Sequence, residues 1–335
     1  MVMKKNTLIF IPGFKGSVLS DQEGRFIWPN FWRAQFDKST SLSNHLPGID
    51  VRNPLRFKSS DVVQSVSILP SVFKVNIYSQ MIKALKQRLP KDTEVILFHY
   101  DWRQDLMTTA PRLKALIMRV LRERGGSIDI VGHSMGGLIA SYVLKMFETP
   151  VIRNAFLVSV PFLGALKPLL DLKKGATLGL NKALLSPKAL ATFGSIYYLL
   201  PRYPDAGKGH SFLDVETWKE FDLSVLMHGN NEQVSTYLQS QFLRVNQFFK
   251  LLEDDEQPTG AHKIISVSCH DFATPTLMQL DKGGRVSKGA GDGTVPSASL
   301  VLPDYLKDIP HDIHSISQPH SKSFNSEKLI NLITR

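Results

Sequence analysis

The 335-residue sequence contains one cysteine, Cys269, so no disulfide can form within the chain and a reducing compartment is permitted. Cys269 closes the strand-like run "KIISVSC", where a small buried hydrophobe is the expected role. The ten histidines and the lone cysteine show no paired metal-ligand spacing, which argues against a zinc site. No apolar run approaches the roughly 20 residues needed to span a bilayer. Lys4 and Lys5 precede only the run Leu8 to Ile11 before Pro12-Gly13. That run is too short for the apolar part of a signal peptide, and no small-residue cleavage site follows it. The expectation is a buried first strand in a cytoplasmic or peripheral membrane protein, with secretion by another route left open. Internal repeats and low-complexity tracts are also missing.

What the chain has in excess is positive charge, a net +10, which favours anionic partners. Nucleic acid is not expected among them, because no helix-turn-helix, RNP or zinc-finger pattern accompanies the charge. The 43% hydrophobic and 21% charged content is that of an ordinary globular protein.

Short apolar, β-rich runs recur at Thr7 to Ile11, Glu94 to Phe98, Ser127 to Val131, Ala155 to Val160 and Lys263 to Val267. Helix-like stretches separate several of them. Ile77 to Leu89 has helical apolar spacing and stops at Pro90, and Pro111 to Arg124 opens on a proline and ends before Gly125-Gly126. Such alternation predicts a mostly parallel sheet covered by helices, an α/β fold whose functional groups gather beyond the carboxyl ends of the strands. From about Gly164 to Gly260 the alternation lapses into a leucine-, lysine- and aromatic-rich, mainly helical stretch. The expected organisation is a sheet core over 1–163, an inserted cap over 164–260, and the rest of the core over 261–335.

Ser134 stands in Gly132-His133-Ser134-Met135-Gly136, between strand-like "SIDIV" and helix-like "GLIASYVLKMF". G-x-S-x-G alone is weak, arising by chance about once in ten chains of this length. At a strand-to-helix turn it gains meaning, because the turn forces the serine into a strained conformation that needs small neighbours and exposes its hydroxyl. A serine hydroxyl needs a base, and the base an orienting acid, following in the order Ser, Asp or Glu, His. Asp292 in "GAGDGTVP" is the leading acid, with Asp271, Asp281 and Asp304 as alternatives. Of the three histidines that follow Asp292, His320 in "SQPHSKS" lies between the last strand and the last helix, whereas His311 and His314 fit a solvated surface better. An oxyanion needs aimed donors. These are expected from the N–H of Met135 and, from the turn after the first strand, the N–H of Phe14.

"PGFKGSVL" at 12–19, "YDWR" at 100–103, "GHSMGG" at 132–137 and "GDGTVP" at 291–296, followed by His320, stand in one order that resembles the lecithin:cholesterol acyltransferase-like lipases. "PFLGA" at 161–165 and "LLPRYP" at 199–204 are similar to that family as well. The resemblance implies an α/β-hydrolase fold with a cap and lid, cleaving an ester of a phospholipid or related lipid. It places the catalytic triad on Ser134, Asp292 and His320 and the oxyanion donors on Phe14 and Met135, with no metal or organic cofactor. The chain departs from the family in reading Ser159-Val160-Pro161 where "GTP" is usual, and in lacking the cysteines that staple the lid and cap of secreted animal members.

Two readings stand for "YDWR": Asp101 and Arg103 form a structural ion pair, or Trp102 lines the acyl pocket. Trp28 and Trp32, in the aromatic cluster "FIWPNFWRAQF", belong either to the core or to a lipid-facing lid. The leading function is a serine-dependent lipid ester hydrolase or acyltransferase. The alternatives are a hydrolase of small soluble esters, thioesters or amides, and a non-catalytic binding protein on the same fold. Residues 164–210 carry seven basic side chains against Asp171 and Asp205, interleaved with apolar ones. That composition suits peripheral contact with an anionic membrane surface, or a solvated face over an ordinary core.

Overall fold

The computed structural model describes residues 5–30, 41–44, 57–69, 73–176, 182–224, 226, 232–254 and 260–335. Strand β1 (Lys5–Ile11) shows why the first apolar run folds as it does. Ile9 and Ile11 point into the larger hydrophobic core, and Leu8 and Phe10 into a second core on the opposite face. Successive side chains of a strand alternate between faces, so a run apolar at every position is buried on both.

After β1 come short antiparallel pieces: β2 (Ser17–Ser20), β3 (Phe26–Trp28), β4 (Lys58–Val62), β5 (Ser65–Leu69) and β6 (Phe73–Asn76). The regular alternation then runs α1 (Ser79–Arg88), β7 (Thr93–Leu97), α2 (Leu106–Arg124), β8 (Gly125–His133), α3 (Met135–Leu144) and β9 (Ile152–Val158). All five expected strands are present. Helix α2 begins a turn and a half before Pro111. Its N-cap is Asp105, whose carboxylate accepts from the Met107 and Thr108 amides, so Pro111 is interior rather than the first helical residue. The capping carboxylate, not the proline, sets the start.

Helices and turns fill the stretch between β9 and the next sheet strand, with no strand among the described residues. They are α4 (Leu166–Lys174), α5 (Pro187–Ala191), α6 (Gly194–Tyr197), α7 (Val215–Glu220) and α8 (Glu232–Leu252). The chain then returns as β10 (Ala261–Ser268), which pairs directly with β9. Helix α8 packs on α3, and Trp218 and Phe242 join the same core as Ile9 and Ile11. The described residues between β9 and β10 thus form an excursion between neighbouring strands that contributes to the core of the sheet.

An antiparallel hairpin, β11 (Asp271–Gln279) and β12 (Arg285–Asp292), follows. Two short helices, α9 (Ser297–Leu300) and α10 (Asp304–Lys307), lead to β13 (His311–Ser315) and the last helix α11 (Glu327–Ile333). The main sheet has the order β13-β10-β9-β8-β1-β7, every pair parallel. With helices on both faces and the β8-to-α3 turn at its carboxyl edge, this is an α/β-hydrolase architecture.

No helix among the described residues is long and apolar enough to cross a membrane.

Candidate active site

The turn from β8 to α3 holds Ser134 at φ 53°, ψ −125°, a conformation that side chains rarely adopt. Its neighbours are glycines for a steric reason. A Cβ on Gly132 would lie 2.7 Å from the Gly137 Cα, and one on Gly136 would lie 2.3 Å from the Ile11 carbonyl oxygen. The Ser134 amide is anchored to the Val158 carbonyl at 2.9 Å, while its hydroxyl makes no helix cap and is left for other partners.

That partner is His320, whose Nε2 lies 2.9 Å from Ser134 Oγ. His320 follows β13 and sits in a 3-10 turn, His320–Asn325, opened by Pro319. Its Nδ1 lies 2.6 Å from Asp292 Oδ2. Asp292 ends β12 and is fully buried, and its other oxygen accepts from the Thr294 and Val295 amides at 3.0 and 2.7 Å. Two backbone amides and the imidazole thus occupy both oxygens of this buried carboxylate. The Nδ1–H tautomer leaves Nε2 free to accept the Ser134 proton.

The structure brings Ser134, His320 and Asp292 together and leaves Asp271, Asp281, Asp304, His311 and His314 outside this line of contacts. Asp281 lies in the far turn of the β11–β12 hairpin, and Asp304 is exposed and paired with Lys307. Asp271 opens β11 beside Cys269, which is buried and free. His311 and His314 lie on the edge strand β13.

Phe14 lies in a turn closed by the Gly16 amide donating to the Gly13 carbonyl at 2.9 Å. A Cβ on Gly13 would come within 2.9 Å of the Ser134 Cβ, so this turn lies directly against the serine. Met135 is the first residue of α3, so its N–H has no acceptor within the helix. Phe14 thus sits in a turn against Ser134, and Met135 directly follows Ser134 at the helix start.

A cavity of about 440 Å³ opens over Ser134 and His320, with Phe14, Trp28, Leu199 and Val295 in its walls. Trp28 therefore lines the site. Trp102 does not: it is fully buried behind the wall, edge-on to Phe14 and Trp28, with its Nε1 donating to the Ser17 carbonyl. Its neighbours explain the placement, for Arg103 is buried and paired with Asp101 at 2.6 Å. "YDWR" is thus an anchoring loop. Trp32 lies outside the described residues.

A group that the sequence reading missed is Tyr78–His133. The His133 Nε2 donates to the His320 carbonyl at 3.3 Å, and its Nδ1 accepts from the Tyr78 hydroxyl at 2.7 Å. Burial, reinforced by the nearby His320, pushes the His133 pKa down to about 3, so it stays neutral. His133 stood in the motif as a visible signal, whereas Tyr78 is 55 residues away and had none.

Residues 25–283 match the model of the family described as lecithin:cholesterol acyltransferase. The match begins after Phe14 and stops short of Asp292 and His320. A Saccharomyces cerevisiae protein described as uncharacterized, YJR098C, is 26% identical over 248 residues, covering 68% of this chain and 35% of its own. The chain thus spans about a third of the length of that curated relative. The crystal structure of a Tle4–Tli4 complex matches 98% of this chain and 97% of its own with a TM-score of 0.59 at 12% identity, a likeness of fold alone. The mature lipase BlEst2 of Bacillus licheniformis matches 98% of this chain and 91% of its own at 12% identity, with a TM-score of 0.43.

Proposed function

The chain belongs to the lecithin:cholesterol acyltransferase family, and from that premise we propose that it is a serine-dependent lipid ester hydrolase or acyltransferase working through an acyl-enzyme on Ser134. The observation that carries the reading is the continuous line from Ser134 Oγ through His320 to Asp292, at 2.9 and 2.6 Å. In this mechanism Ser134 attacks the ester carbonyl as His320 Nε2 takes its proton. Asp292 holds the imidazole in register and stabilises its charge. The tetrahedral oxyanion is met by the Phe14 and Met135 amides, a contribution of ~3 kcal/mol per donor in related sites. Collapse returns the proton from His320 to the departing alcohol and leaves the acyl chain on Ser134. Water or a second alcohol, activated by the same imidazole, then takes the acyl group. The largely apolar cavity beside Ser134 suits an acyl chain.

The test is covalent capture with a fluorophosphonate, with the labelled peptide identified, followed by a panel of lipid and small soluble esters. The panel is scored for released fatty acid and for transferred acyl chain. Labelling at Ser134 with lipid turnover is expected. Labelling with turnover of small esters alone would move the reading to a soluble-ester hydrolase, and no labelling would move it to a binding protein.

A further inference from the structure

Away from the polar groups around Ser134 and His320, the cavity carries three charged side chains in its lining, Lys15, Lys167 and Asp171. Lys167 and Asp171 are one helical turn apart on α4 and form an ion pair. The Lys15 ammonium makes no hydrogen bond or ion pair with any described residue. It follows Phe14 in the tight turn and takes φ 66°, a left-handed value normally left to glycine. The Trp28 indole fixes this conformation by donating to the Lys15 carbonyl at 2.9 Å. The ammonium is aimed along the wall, 5.1 Å from the centre of the Phe14 ring.

An unpaired ammonium in a half-buried, largely apolar wall is costly unless something answers its charge. Burial, and less strongly Lys167, lowers the Lys15 pKa to about 8, against the partial support of Asp171. Two ammonium groups against one carboxylate leave the cavity lining with one uncompensated positive charge. Among the described residues, the other titratable groups lining the cavity are Tyr78, His133 and His320, and none of these carries a negative charge at neutral pH. The complement of such a wall is a single negative charge.

We propose that Lys15, seconded by the Lys167–Asp171 pair, forms an anion subsite selecting esters whose non-acyl part bears one negative charge, such as a lipid phosphodiester. This rests on the cavity being the ester site described above. A bound monoanion would take the partner place that no described residue fills at Lys15, and would favour the protonated lysine. The Lys167–Asp171 pair tunes the wall, since loss of the carboxylate would make it more positive.

Binding is the appropriate readout, because it does not depend on turnover. Trp28 lines the cavity and supplies a fluorescence signal. The probes are three short-chain dialkyl ether lipids that cannot be cleaved, each dissolved below its micelle concentration: a phosphatidylglycerol, a hemisuccinate carrying a carboxylate, and the uncharged dialkylglycerol. The phosphatidylglycerol should bind more tightly than the uncharged probe by on the order of tenfold, the worth of one charge-assisted contact. Lys15→Gln should erase most of that ratio, since the turn's strain is the same for either side chain. Asp171→Asn should raise the ratio. In the wild type the advantage should fade as pH rises through about 8, where free Lys15 loses its proton, and in Lys15→Gln this fading should be absent.

A hemisuccinate that gains as much as the phosphodiester supports recognition of charge alone, and one that does not narrows the ligand to a phosphodiester. A ratio untouched by Lys15→Gln, or a preference for the uncharged probe, overturns the subsite. Failure of fluorophosphonate labelling at Ser134 with this binding pattern intact would instead strike the hydrolase reading.

Discussion

His133 donates from Nε2 to the backbone carbonyl of His320 at 3.3 Å, so the residue before Ser134 holds the loop that carries its base. The line continues from His133 Nδ1 to the Tyr78 hydroxyl, which accepts in turn from the Gly13 amide at 3.3 Å. One neutral imidazole thereby ties the loop of the proposed oxyanion donor to the loop of the proposed base. Tyr78→Phe cuts this tie while keeping the ring that packs on Phe10 and Phe324. Losing a buried hydrogen bond of ~1–3 kcal/mol should cost kcat roughly tenfold if it is felt in the transition state. KM on a soluble ester should change little. An unchanged kcat, or a loss confined to KM, would sink this positioning role.

The same imidazole should govern stability in acid. His133 is held neutral in the folded chain with a pKa near 3, whereas in the unfolded chain it titrates near 6.5. Below about pH 6.5 the unfolded state therefore binds the extra proton. The stability tied to His133 is present above that pH and is lost as pH falls toward 3, at up to ~1.4 kcal/mol per pH unit. Urea midpoints taken between pH 7.5 and 4 should fall more steeply for the wild type than for His133→Gln. Parallel curves would refute the assignment.

Ser134→Ala and His320→Ala should each remove turnover almost completely, on the order of 10⁶ in kcat, because such groups act as a unit. Asp292→Asn should cost about 10⁴, since an amide favours the wrong imidazole tautomer. Far-UV dichroism should report an intact fold in all three. If Asp271→Asn or Asp281→Asn proved to be the crippling change, the acid would have to be reassigned.

Much of this site could be read from sequence because its chemistry demands particular residues at particular backbone positions. The turn around Ser134 requires glycine at 132 and 136, and those glycines stand in the chain beside the serine. Asp292 was visible through its glycine-rich loop, and the family resemblance drawn from the motifs agrees with the family match. The hairpin β11–β12 that delivers Asp292 was not foreseen, because its alternation is broken by Pro275 and register shifts. Trp102 shows a second limit. An aromatic in a loop reads the same whether it faces a cavity or backs its wall, and only the packing of Phe14, Trp28 and Phe193 around it decides. Lys15 escaped for a third reason: nothing in its sequence neighbours announces a left-handed conformation or an empty partner position.

The Arg103–Asp101 pair is expected to be structural. Arg103 is buried, donates to the Leu42 carbonyl, and lies 4.5 Å from the centre of the Phe57 ring. Arg103→Met leaves Asp101 without its main partner and should cost ~3 kcal/mol in chemical denaturation. Arg88→Met removes a solvent-exposed pair with Glu327 and should leave the denaturation midpoint almost unchanged. Equal costs would mean that burial does not set the strength of these pairs.

Contact of residues 164–210 with an anionic membrane surface is proposed as an effect of charge. Of the apolar residues interleaved there, Leu169, Leu184, Leu185, Tyr197, Tyr198, Leu199 and Leu200 are buried in the core, and Leu170 is half-buried against it. Arg202 is also withdrawn, lying against the Phe249 ring and donating to the Phe162 carbonyl. What remains outside is lysine: Lys167, Lys174, Lys182, Lys188 and Lys208 are exposed and Lys173 is half-buried. Each cation near an anionic leaflet is worth ~1 kcal/mol at most, and the attraction decays within a Debye length. Sedimentation with vesicles of rising phosphatidylglycerol content should therefore show binding that grows with lipid charge and is lost in high salt. Replacing Lys173, Lys174, Lys182 and Lys188 with glutamate should abolish it without touching the hydrolysis of dissolved esters. Binding that survives high salt would require an apolar anchor beyond these residues. Equal and negligible binding to neutral and anionic vesicles would remove the membrane from the account.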